Sequence, residues 1–293
     1  MINVALAATF GIIAGPTTAT GLPEHEVPAI AGVASLFSKQ YNSDLANIIG
    51  SVVSLAPGRT SPGLGPWSVE ISGLVALIKP PRQPMRDVDE ALVSAGMVSG
   101  SPIDVLPLLG VRAKIGAFDY AGIGLTAGTS GSVVADLNSG SGSMGLSSRF
   151  YSADGWLAVI ASRYFRANIT AGASSVRGKV VSLSAEDGSA TTTVNARSLS
   201  AGLLLSGGSE WIVNPFVYGN VTGIMGYGRT SFTTCADGNV APIPDTLGNL
   251  NEIAFQAGIG LKGRIVGVAG GISSDGSVGV GVTLGYGMAL GKR

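Results

Sequence analysis

Charge is what this chain has least of. Asp, Glu, Lys and Arg make up 12% of its 293 residues, with 18 basic side chains set against 18 acidic ones. That is about half the charged share of soluble globular domains. With no basic excess and no basic run, nothing would hold a nucleic-acid backbone, and no nucleic-acid partner is expected. The single cysteine, Cys235, excludes an internal disulfide and a cysteine-rich metal site. The single histidine, His25, excludes a multi-histidine metal site and argues against a histidine-dependent triad. No run of 18 or more apolar residues is present, so a membrane-spanning helix is not expected.

Motifs of catalysis are missing too. There is no G-x-x-x-x-G-K-[ST] loop, no H-E-x-x-H and no G-x-S-x-G elbow. The G-x-G triplets, such as Gly122-Ile123-Gly124 and Gly279-Val280-Gly281, fall inside alternating segments, where a dinucleotide loop would need a helix to follow. On these grounds neither an enzyme nor a cofactor is expected.

What is abundant is glycine, 45 residues, beside an apolar fraction of 45%. The glycines follow no G-X-Y period, which excludes collagen, and the apolar content excludes a disordered Gly/Ser polymer. The final segment, residues 278–290, shows how the two combine. Val278, Val280, Val282, Leu284, Tyr286, Met288 and Leu290 occupy one parity; Gly279, Gly281, Thr283, Gly285, Gly287 and Ala289 occupy the other. A helix would scatter these apolar residues around its whole circumference, so the segment is a strand.

The same period recurs upstream. Runs of alternation cover residues 67–77, 105–116, 121–128, 156–173, 194–205, 211–232, 252–264 and 265–272, with a weaker one at 144–151. A Gly/Ser-rich loop is expected between residues 128 and 145. About ten strands of roughly 9 to 14 residues result, with 8 to 12 allowed, longer than the ~5–6 residues of soluble strands and suited to a tilted bilayer crossing. The expected fold is therefore all-β, a closed antiparallel transmembrane β-barrel spanning residues 67–293. Closure follows because lipid offers no partner for an open strand edge.

Before the barrel, residues 22–66 read as a helical plug or cap. Pro23-Glu24-His25-Glu26 precedes Ile30, Val33, Ala34 and Phe37 at helical spacing, and Ser43-Asp44 opens a second helix within residues 22–56. Residues 85–96 read as a short helical insertion. Residues 1–21 are apolar and end in small residues without a preceding Lys or Arg. Either they are the remnant of a signal peptide or they are a mature start.

The two parities of the strands carry different chemistry. One is Val, Leu, Ile, Phe and Tyr; the other is Gly, Ser, Thr and Asn with occasional charge. A water-facing exterior would carry roughly 25–35% charge, so the small polar parity is expected inside. Its candidate lumen-lining residues are Glu70, Arg112, Lys114, Arg197, Glu252, Gln256, Lys262 and Arg264. Trp67, Tyr120, Tyr151, Trp156, Trp211, Tyr227 and Phe232 are candidates for interfacial aromatic girdles.

The order of elements resembles a known family. A helical N-terminus, then Leu64-Gly65-Pro66-Trp67 leading into the first strand, a helical insertion, and DVLPLLGVRAKIG at residues 104–116 look like the FadL-like class of outer-membrane proteins. DGWLAVIASRYFRANITAG (154–172) and SEWIVNPFVYGNV (209–221) resemble outer-membrane barrels in general, autotransporter translocator domains included. FadL-like chains are longer, and most such barrels end in an aromatic, where this chain ends Gly291-Lys292-Arg293. The resemblance implies a bacterial outer-membrane location, membrane lipid as surroundings, and passive transport of small hydrophobic molecules. The alternatives are a self-associating structural protein of the envelope or surface, or a barrel anchoring a larger envelope complex.

Overall fold

The computed structural model describes residues 67–79, 106–117, 120–136, 142–184, 188–208, 211–236 and 239–290. The helices expected within residues 22–56 and 85–96, the segments 1–21 and 22–66, and the chain's last three residues lie outside the described residues.

Ten strands form one closed antiparallel barrel. They are β1 (Trp67–Lys79), β2 (Leu106–Ala117), β3 (Ala121–Asp136), β4 (Gly142–Ala161) and β5 (Phe165–Ser184), followed by β6 (Gly188–Gly207), β7 (Asn214–Ala236), β8 (Asn239–Lys262), β9 (Val266–Ser273) and β10 (Val278–Ala289). Each strand pairs with its sequence neighbours, and β1 pairs with β10 from Ser68↔Ala289 to Lys79↔Val278 to close the ring. No strand edge is left for lipid to solvate, which it cannot do.

The strands are staggered as closure requires. Followed one way through registered pairs, Ser72 leads to Arg112, Thr126, Ser152, Ser174, Ser198, Ile224 and Glu252. Followed the other way, it leads to Gly285 and then, by a backbone hydrogen bond, to Ile265, beyond the end of β8. The two routes meet β8 at different heights, so the strands tilt against the barrel axis.

Side chains alternate as the sequence predicts, and the polarity is inverted relative to a soluble barrel. On β10, Val280, Leu284 and Tyr286 are 52%, 59% and 68% exposed, while Gly279, Gly281 and Thr283 are buried. On β1, Ser68, Glu70 and Ser72 are buried and Ile71, Val75 and Leu77 are exposed. Large apolar side chains turned outward all round, over a polar interior, suit a surrounding of hydrocarbon rather than water.

Strand limits differ from the sequence reading in instructive ways. The run 156–173 is two strands, split by a turn at Ser162, Arg163 and Tyr164. No glycine or proline marks it; the Ser162 hydroxyl holds it by accepting from the Phe165 N–H (2.9 Å) and donating to the Phe165 carbonyl (2.8 Å). Residues 129–136 and 142–143, expected as loop, belong to β3 and β4. β8 begins at Asn239, well before the alternation that starts at Glu252. The β9–β10 turn is the conventional kind: Gly276 has φ 89°, and Asp275 Oδ1 accepts from the Ser277 N–H and hydroxyl.

Candidate functional site

The C-terminal ends of β2, β4, β6 and β8 gather at the end of the barrel where β1 begins. Just inside that end lies a cluster of charge. Glu70 on β1 faces Lys114 on β2 in direct register, and Glu70 Oε1 receives a hydrogen bond from Lys262 Nζ at 2.6 Å. Arg112 Nη2 meets both carboxylate oxygens of Asp154 at 2.6 Å. The Glu70 and Arg112 side chains are wholly buried, Asp154 is 9% exposed and Lys262 15%. Charge-assisted hydrogen bonds of this length are strong, and burial makes each partner dependent on the other.

Neither pair joins neighbouring strands. Arg112 reaches Asp154 across β3, and Lys262 reaches Glu70 across β9 and β10. Glycine makes both crossings feasible. A Cβ on Gly124 would come within 2.8 Å of Asp154 Oδ1 and 3.1 Å of Arg112 Nη2. A Cβ on Gly267 would stand 2.6 Å from Thr283 Oγ1 and 3.0 Å from Lys262 Cδ. The glycine parity is therefore a set of sockets as much as a wall. Trp156 lies against Gly122, and Phe150 against Gly128, in the same manner.

Next to the cluster runs a row of polar groups in direct register: Ser72, Arg112, Thr126 and Ser152. Their Oγ, Nε and Nη1, Oγ1 and Oγ atoms are buried without a hydrogen-bond partner among the described residues. The row continues into the Ser174 and Ser198 hydroxyls, which bond each other at 2.5 Å. It offers N–H donors and hydroxyls to a polar guest, and no built nucleophile–base pair is among its contacts.

The eight candidate lumen residues divide. Glu70, Arg112, Lys114 and Lys262 come together in the cluster. Gln256, buried, and Glu252, half-buried, share its inward parity farther along β8. Arg197 and Arg264 do not join them. Arg197 is exposed on the outward parity of β6, with Leu199 and Leu203, and Arg264 is exposed in the turn between β8 and β9. The outward parity of β6 changes from leucine to arginine at Arg197, where strand periodicity alone puts it outside. Sequence reasoning also missed Asp154. Asp154-Gly155 looks like a turn, yet its parity with Ser152 and Trp156 places it inward. Of the girdle candidates, Trp67, Tyr120, Tyr151, Trp211 and Tyr227 are exposed, whereas Trp156 is 4% exposed and points inward. The Phe232 side chain lies outside the described residues.

A closed antiparallel barrel with an apolar exterior, a polar interior and charge paired inside is a β-barrel of the outer-membrane type. No protein-family model matches the chain, and no curated protein matches it. Among solved structures it is similar to the outer-membrane protease OmpT of Escherichia coli, with 8% identity over 79% of this chain and 99% of that one and a TM-score of 0.43. It is also similar to the translocator domain of the autotransporter NalP of Neisseria meningitidis, with 10% identity, 87% and 100% coverage and a TM-score of 0.38. A major outer-membrane protein of Thermus thermophilus matches at 11% identity, 74% and 99% coverage and a TM-score of 0.34. Likeness at this level concerns fold alone. It reaches the class of outer-membrane barrels and not the FadL-like family in particular. One expectation is corrected. The sequence reading excluded an enzyme, but a protease stands among the matching barrels. That expectation is withdrawn.

Proposed function

We propose that this chain sits in a bacterial outer membrane as a barrel closed at rest, anchoring a larger envelope assembly. The observation that carries this reading is the burial of inward side chains: Arg112, Phe150, Leu74, Ile78, Leu108, Ile224 and Glu70 are all under 2% exposed. The lining of an aqueous pore keeps contact with water, whereas a lumen filled by side chains does not. Planar-bilayer recording of the refolded protein tests it. The expected result is no steady conductance step from the wild type. Long-lived uniform steps, or swelling of barrel-containing vesicles in small sugars, overturn the reading.

A second reading is passive passage of small hydrophobic molecules. It is supported by the lining beyond the charged cluster, where Leu74, Ala76 and Ile78 of β1 meet Leu108 of β2 on the inward side. On this reading a small apolar dye enters barrel-containing vesicles faster than protein-free ones, and Leu74→Glu abolishes the difference. Equal uptake with and without the barrel removes this reading and leaves the anchor.

A further inference from the structure

The outward parity of β4 to β7 carries an arginine on every strand. Tyr151 on β4 adjoins Arg149 on that parity, whereas on β5 Ile169 is followed by Ala171, Ala173 and Ser175 before Arg177. Leu203 and Leu199 on β6 give way to Arg197, and Met225 and Tyr227 on β7 to Arg229. All four arginines are exposed. On the other side of the barrel, every described outward residue of β2, β3, β9 and β10 is uncharged.

The part of the row on β4, β5 and β6 is electrostatically unbalanced. Arg149 and Arg177 are direct cross-strand partners, and Arg197 lies diagonal to Arg177, whose own partner on β6 is Asn195. Like charges directly opposite one another destabilise an antiparallel pair. No protein carboxylate offsets these three among the described side chains. Glu70, Asp154 and Glu252 share the inward parity, and Asp275 sits in the β9–β10 turn. Generic snorkelling accounts for single cations at a membrane border, but not for two placed face to face.

We propose that this row, which lies away from the short-turn end of the barrel and so toward the outer leaflet, binds the phosphate groups of outer-leaflet lipid, one headgroup bridging Arg149 and Arg177 with Arg197 beside it. Guanidinium groups match phosphate oxygens in charge and fork geometry. The occupant is a lipid because Tyr151 and Leu199 adjoin the row on the outward face and Leu157, Ile169 and Leu203 lie farther along it, an exposed apolar surface that acyl chains would cover. The inference rests on the outward face lying in an outer membrane. Barrel insertion is therefore checked separately, by the shift in gel migration between unheated and heated protein from phosphatidylcholine vesicles.

The test is retention of bisphosphorylated lipid A, measured by native mass spectrometry of the intact protein from mild detergent. The wild type is expected to retain it, and R149Q/R177Q/R197Q to bind at least tenfold more weakly. Lys79→Gln, at the end of β1, should bind as the wild type does. Dephosphorylated lipid A should be retained no better than phosphatidylcholine. Equal retention of the phosphorylated and dephosphorylated forms, or equal binding by the wild type and the triple variant, overturns the proposal. Displacement of lipid A by inorganic phosphate at matched phosphate concentration assigns the row to free phosphate and overturns the lipid. Should the triple variant lose its gel shift, the wild type is titrated with salt. Binding that weakens steeply supports the proposal, and binding indifferent to salt overturns it.

Discussion

The barrel has a tall wall and a short one. β4 to β8 run 20, 20, 20, 23 and 24 residues, whereas β9, β10, β1 and β2 run 8, 12, 13 and 12. Hydrocarbon needs only ~9–11 residues of tilted strand, so the short wall is about one membrane crossing tall. The tall wall goes on past its arginine border into segments such as Ser189-Ala190-Thr191-Thr192-Thr193. A tall wall alone would be a curved open sheet, with two unpaired edges in lipid. The short wall supplies closure, and inside the barrel two ion pairs tie it to its partner. Glu70 and Arg112 belong to the short wall, and their partners Lys262 and Asp154 to the tall one. Closure thus rests both on strand pairing at the rim of each wall and on charge reaching across it.

Breaking a staple is the largest perturbation of this arrangement. Asp154→Ala leaves the Arg112 guanidinium buried with no carboxylate, which is expected to cost about 3–5 kcal/mol. Glu70→Ala should cost a similar amount: Lys262 is 15% exposed, but the buried Lys114 also loses the carboxylate it faces. Replacing the whole pair, Arg112→Met with Asp154→Leu, should recover most of the loss, since burying two charges is itself expensive. Urea unfolding in lipid vesicles, followed by tryptophan fluorescence, measures all three. Equal stability of Asp154→Ala and wild type would show that the Arg112–Asp154 pair adds nothing to the backbone pairing of the walls.

A smaller effect separates the walls from the outside. Leu284 lies mid-strand on the short wall, 59% exposed toward lipid, and Leu199 lies next to the arginine border of the tall wall, 60% exposed. Exposure is equal, but depth is not. Leu284→Arg is expected to cost about 2–4 kcal/mol and Leu199→Arg about 0–1 kcal/mol. Similar costs for the two, read from the same unfolding curves, would place the border elsewhere.

The difference between the walls also explains what could be read from the chain. The short wall was legible because every residue there has hydrocarbon on one side and a crowded interior on the other. Val278 to Leu290 alternates for that reason, and β1 and β2 follow it. The upper parts of the tall wall were not legible. Residues 129–136 and 239–251 have no apolar parity, and strand character there rests on backbone pairing with the neighbour, as in Thr233↔Pro242. The charged cluster was half legible. Parity placed Glu70, Arg112, Lys114 and Lys262 inside, but partners that skip over strands round the barrel depend on closure and stagger, which periodicity does not encode. Arg197 was misassigned because charge was taken as a sign of the interior; at the end of an apolar outward run, it marks the membrane border instead.

The smallest effect tests whether glycine serves the interior or merely fills the wall. Gly267 and Gly73 both lie on the short wall, with opposite parity. A side chain at Gly267 meets Thr283 and Lys262, on the path of the Lys262–Glu70 pair, whereas a Cβ at Gly73 has only the Leu284 carbonyl oxygen at 3.9 Å. Gly267→Val should therefore cost about 1–3 kcal/mol through overpacking. Gly73→Val should be neutral or slightly stabilising, within about 0.5 kcal/mol, because its methyl groups project into lipid and a β-branched residue suits a strand. The contrast should shrink in a Lys262→Ala background, where Gly267→Val has only Thr283 left to displace. If it persists undiminished there, Thr283 sets the space at Gly267, and the socket belongs to packing between β9 and β10 rather than to the ion pair that joins the walls.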